Sequence, residues 1–76
     1  MKKFTEKQRT RLVKMAFNFG ENLMPYDCAG IISRNFPSTK RGKYGIREIA
    51  RMIIDMMELC GFCCDRREAL EASLYL

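Results

Sequence analysis

A chain of 76 residues has room for one small domain and no second core. Its composition, 47% hydrophobic and 30% charged with five Gly and two Pro, excludes a disordered or collagen-like chain. A net charge of +5 biases it toward anionic partners and leaves the fold open.

Thr5 followed by Gln8 reads as a capping box, and Leu12, Ala16, Phe19 and Leu23 then recur at helical spacing. These signals predict a first helix over Glu6–Phe19, reaching Met24 at the furthest. Its opposite face carries Lys7, Arg11, Lys14 and Asn18, a basic exterior. Pro25 ends this helix or opens the next element. A short second helix is expected over residues 27–35, capped by Asp27 and burying Cys28, Ile31 and Ile32. Pro37 biases Phe36 away from helix, so residues 38–45 read as a basic loop.

The strongest pattern is a third helix over residues 46–60. At about 100° per residue, Arg47, Glu48, Arg51, Asp55 and Glu58 share a single wedge of about 100°. Glu48 with Arg51, and Arg51 with Asp55, are spaced to pair across one turn. Apolar residues fill the remaining circumference, which predicts either the hub of the domain or half of a dimer seam. Gly61 supplies a left-handed stop. Asp65 with Glu68 opens a last helix of about ten residues carrying Ala69, Leu70, Ala72, Leu74 and Leu76, too short to stand unless it docks on the third. The expected fold is therefore all-α, residues 1–76 forming one small bundle of three to four helices around the central helix, with dimerisation as an open alternative.

No apolar stretch follows Lys2 and Lys3 as a signal peptide requires, and no uncharged apolar run is long enough to span a bilayer. The expected location is cytoplasmic, with no membrane partner.

Catalytic templates fail on inventory. The chain has no His, the usual base for a Ser or Cys nucleophile, and no carboxylate pair flanks an evident cleft. Gly42-Lys43 lacks the phosphate-loop context, because Pro37 stands where that motif needs Gly and Tyr44 where it needs Ser or Thr. The run Gly45 to Arg51 has the residue types of a helix-turn-helix positioning helix, but Ile54 occupies the place of the turn glycine, so no family follows. No enzyme, cofactor or small-molecule substrate is expected.

Cys60, Cys63 and Cys64 lie close together in sequence, and Cys28 stands apart. Four thiolates satisfy zinc, but the chain lacks the second Cys-x-x-Cys knuckle or the Cys/His mixture of a strong zinc signature. Free thiols packing as small hydrophobes is the plainer expectation.

Charge is the remaining functional lead. Residues 1–14 carry six bases against Glu6, and residues 34–51 carry six against Glu48, whereas residues 15–33 and 52–76 are net acidic. Lys40, Arg41 and Lys43 precede the third helix, whose N-terminal amides favour anions. With Lys7, Arg11, Lys14 and Arg47 they are the expected anion-binding or nucleic-acid-binding residues. Tyr26, Phe36 and Tyr44 would supply base stacking, or else act as lids over the core. The first functional expectation is a non-catalytic regulator or inhibitor docking this basic face on nucleic acid or on an acidic surface of a nucleic-acid-handling complex. The second is a protein interaction module or homodimer using the apolar surface of Met52, Met56 and Leu59. The third is a zinc-stabilised module on Cys28, Cys60, Cys63 and Cys64.

Overall fold

The computed structural model describes residues 2–76, which fold into α1 (Glu6–Phe19), α2 (Pro25–Asn35), a 3-10 turn (Pro37–Arg41), α3 (Ile46–Leu59) and α4 (Arg66–Ser73). The all-α expectation holds among the described residues, with a single backbone bridge between Lys2 and Tyr44 outside the helices. Among the described residues no helix is long and apolar enough to cross a membrane.

Local chemistry sets the boundaries. Thr5 Oγ1 accepts from the Gln8 N–H at 3.2 Å while Gln8 Oε1 accepts from the Thr5 N–H at 2.8 Å, closing the capping box that opens α1. α1 stops at Gly20, whose φ of 105° lies where side chains are strained. Gly61, at φ 90°, turns the chain after α3 in the same way. Asp65 caps α4, its carboxylate accepting from the Glu68 N–H at 2.8 Å.

Three local expectations change. α2 begins at Pro25, not Asp27, because proline's missing N–H costs nothing at the first helical position. Asp27 thus falls inside the first turn and reaches back, accepting from the Met24 N–H at 2.8 Å. Residues 38–45 are not all loop, since Pro37–Arg41 winds into a 3-10 turn with the Thr39 hydroxyl donating to the Phe36 carbonyl at 2.8 Å. α4 has eight residues rather than about ten.

α3 touches α1, α2 and α4. Ile49, Ala50, Met52, Ile53, Met56 and Met57 are buried along it, packed against Leu12 and Ala16 of α1, Cys28 and Ile32 of α2, and Ala69 and Ala72 of α4. The proposed Met52–Met56–Leu59 interface is corrected by this packing. Met52 and Met56 are 0% exposed and belong to the core, while Leu59, the last residue of α3 and next to the charged wedge, is 68% exposed. A surface for a partner cannot be made from two enclosed side chains.

The α3 charges are also used differently from the intrahelical pairing the spacing suggests. Asp55 pairs with Arg9 of α1, whose guanidinium also approaches the Met52 sulfur at 3.9 Å. Glu48 Oε2 accepts from the Phe4 N–H at 2.9 Å. The N-terminal segment is held further by Phe4, which stacks on Tyr44 with ring centroids 4.3 Å apart and meets Phe36 edge-on at 5.6 Å.

Met56→Ala is expected to cost about 2–5 kcal/mol of stability, the range for emptying an enclosed core site. Leu59→Ala should cost less than about 0.5 kcal/mol. Urea unfolding of the two variants checks the contrast, and comparable losses would place Leu59 in the core.

Candidate anion-binding groove

Of the three acids on the exposed strip of α3, the two that flank Arg47 and Arg51 are engaged by the N-terminal region, Asp55 by Arg9 and Glu48 by the Phe4 amide, while Glu58 lies exposed at the far end of the helix. Arg47 and Arg51, one turn apart on that strip, are left without an ion pair among the described residues. The segment that engages Glu48 also brings Lys2 and Lys3 alongside. Its backbone runs next to the chain before α3, with the Lys2 N–H donating to the Lys43 carbonyl at 3.3 Å and the Lys2 ammonium 5.7 Å from the centre of the Tyr44 ring. From the other side, the first residue of α4 contributes Arg66.

These five cations line one groove of about 530 Å³. Its remaining walls are Gly45 and Glu48 at the start of α3, with Ala50 and Ile54 of α3 and Leu70 of α4 as apolar surface. The N-cap of α3 is Gly45, which has no side chain to satisfy the first amides, so the positive end of the helix dipole adds to the same region. Among the described residues none of the five cations is in an ion pair.

The sequence-predicted basic residues are distributed differently. Only Arg47 lines this groove. Lys7, Arg11 and Lys14 form, with Thr10, Met15 and Asn18, a shallow surface built from α1 alone, sharing no residue with the groove. Lys40, Arg41 and Lys43 are exposed on and just after the 3-10 turn and do not line it. Lys2, Lys3, Arg51 and Arg66 are the lining cations that spacing did not single out. For Arg51 the signal is its place beside Arg47 within the charged wedge, although the spacing there equally suits pairing with Glu48 and Asp55.

The aromatic residues do not serve the groove. Tyr44 is buried under Phe4 and Phe36 is half-buried against it, so both act as lids, while Tyr26 is exposed and meets Tyr75 edge-on at 5.3 Å.

The thiols are all free, with Cys28 and Cys64 buried, Cys60 half-buried and Cys63 exposed. Burial, reinforced by the neighbouring Cys60 and Cys64, pushes the Cys28 thiol from 9.0 up to about 12. Burial also raises Cys60 and Cys64, the latter with help from Glu68, Asp65 and Glu58. Among the described residues no set of three or more His, Cys, Asp or Glu side chains is placed to hold a metal ion. The four-cysteine zinc set is corrected accordingly: Cys28 is enclosed on α2 while Cys63 faces solvent, and they do not close a tetrahedral site.

Comparison with protein-family models, curated proteins and solved structures finds no match.

A thiol whose pKa is higher folded than unfolded stabilises the fold fully below the unfolded value and loses that contribution as pH rises toward the folded one. Stability should therefore decline between about pH 9 and 12, and Cys28→Ala should flatten that slope while lowering the plateau. Denaturant midpoints measured across this range check it; an equal slope in both proteins refutes the assignment to Cys28. In the native protein near neutral pH, an alkylating reagent should label Cys63 first and Cys28 only after unfolding.

Proposed function

We propose that this is a non-catalytic binding protein that acts by docking the groove between α3, α4 and the N-terminal segment onto an anionic macromolecule. The observation that supports this most is the convergence of Lys2, Lys3, Arg47, Arg51 and Arg66 on one concave surface with none of them in an ion pair among the described residues. Holding like charges together costs free energy unless a counter-charge arrives, and an anionic partner supplies it. The absence of His from the chain accords with a role in binding rather than acid–base chemistry. Occupying a partner's surface in this way is how a small regulator or inhibitor works. Association through Met52 and Met56 is not part of the proposal, because both are enclosed.

Titration against a polyanion such as heparin, repeated over a range of salt, tests the proposal. Affinity should fall linearly with salt on logarithmic axes, as expected when bound counterions are released. The double change Arg47→Glu and Arg51→Glu should weaken binding at least about tenfold and make the salt dependence shallower. The change of Lys7, Arg11 and Lys14 to Glu should do neither. Binding indifferent to salt, or lost only with the α1 face, overturns the assignment to the groove.

A further inference from the structure

The groove combines two chemistries, and only one of them concerns charge. Its cations are Lys2, Lys3, Arg47, Arg51 and Arg66, while the half-buried Ile54 from α3 and Leu70 from α4 supply aliphatic surface. Resting on the proposal that the groove binds an anionic macromolecule, we infer that its occupant is an acidic amphipathic helix of a partner protein, with aliphatic residues against Ile54 and Leu70 and carboxylates against the surrounding bases.

Several observations favour this occupant over a nucleic acid. No lining residue is aromatic. Single-stranded nucleic acid gains much of its affinity from stacking its bases on aromatic rings, and aliphatic branches offer no such platform. The nearby rings that would serve are committed elsewhere, Phe4 stacked on Tyr44 and also packed against Phe36. A phosphate backbone would neutralise the cations and leave the aliphatic surface without a partner, whereas Leu or Ile side chains would remove it from water.

The cation spacing matches a helix as well. Arg47 and Arg51 stand four residues apart on one face of α3, the interval at which two carboxylates stand on one face of a partner helix. Three of the five cations are arginines, whose planar fork takes a carboxylate through two parallel hydrogen bonds. Glu48, the acid lining the groove, has its carboxylate engaged by the Phe4 amide, which lessens its repulsion of an incoming acidic residue. An amphipathic helix laid between two helices is a recurrent mode of protein recognition.

Three probes decide the matter by fluorescence polarisation against the full chain. The first is a labelled peptide of about four helical turns, with Glu pairs spaced four residues apart around Leu residues on one face. The second has the same composition with the apolar residues dispersed, and the third is an oligothymidylate of similar charge. The patterned peptide should bind about tenfold more tightly than the dispersed one, the difference expected from burying one or two apolar anchors. Ile54→Ser, with Leu70→Gln as a second variant and circular dichroism confirming the fold of each, should abolish that preference while salt-dependent binding persists. Arg47→Gln should weaken both peptides together.

Equal binding of the two peptides, or tighter binding of the oligothymidylate, overturns the inference and leaves the anion-binding function standing. No salt-dependent binding of any probe overturns both. Self-association of the chain in sedimentation, lost in the Arg47→Gln/Arg51→Gln double variant, would make a second copy's acidic segment the occupant and overturn the inference as well.

Discussion

Enclosure of α3 governs the rest of the molecule. Apolar side chains cover all but a narrow strip of its circumference, so the helix has to be surrounded, and α1, α2 and α4 do so. Burying one large aliphatic or methionine side chain is worth about 1.5–3 kcal/mol, and Met52, Ile53 and Met56 are fully enclosed. The other helices depend on that association. α4, at eight residues, is too short to persist alone and holds its place through Ala69 and Ala72, whose small side chains allow close approach to the core. Met56 and Met57 suit a hub contacted from several directions, since an unbranched side chain adjusts to irregular gaps.

The same enclosure concentrates the charges. With most of the helix buried, Arg47, Glu48, Arg51, Asp55 and Glu58 must share the remaining strip. α1 and the segment before it then draw on the acids of that strip, Arg9 through an ion pair to Asp55 and the Phe4 backbone through Glu48. Each of these contacts secures the N-terminal region, and the ion pair with Arg9 offsets the charge of Asp55, whereas Glu48 keeps its negative charge while accepting from the Phe4 amide. The electropositive groove is thus a by-product of how the first ten residues are anchored, and the anchoring itself delivers Lys2 and Lys3 to the rim.

This coupling explains what could be read from the sequence. Thr5 with Gln8, Gly61, and Asp65 with Glu68 act within one or two turns, so the start of α1, the end of α3 and the start of α4 are visible in the residue order. The start of α2 lies two residues before the expected cap because Asp27 serves equally well as a cap or as an acceptor within the first turn, and Pro25 settles which. The groove was mostly hidden. Its decisive contacts join Phe4 to Glu48 and Arg9 to Asp55, pairs separated by 44 and 46 residues. Clustering of bases along the chain, as at Lys7, Arg11 and Lys14 or at Lys40, Arg41 and Lys43, is a different property from convergence in space. None of those six cations lines the groove, and of the predicted set only Arg47 does. The Met-rich stripe raised the opposite ambiguity, since helical spacing of Met52 and Met56 describes a core face and a partner face alike until the neighbouring helices are placed.

A groove that joins a cationic rim to an aliphatic surface divides the work of recognition between two ranges of force. The cations act over roughly a Debye length, about 8 Å at physiological salt, which makes them effective at drawing an acidic partner in and poor at distinguishing one acidic partner from another. In the complex proposed above, Ile54 and Leu70 act only in contact, and their contribution depends on a matching apolar side chain being at the right turn of the incoming helix. In the proposed complex, discrimination among acidic partners falls to two half-buried residues, while the rate of encounter falls to Lys2, Lys3, Arg47, Arg51 and Arg66. Exchanging Lys for Arg along the rim would leave the attraction at a distance intact, whereas reshaping Ile54 or Leu70 would change which partner is held, because shape at contact is a property that net charge does not carry.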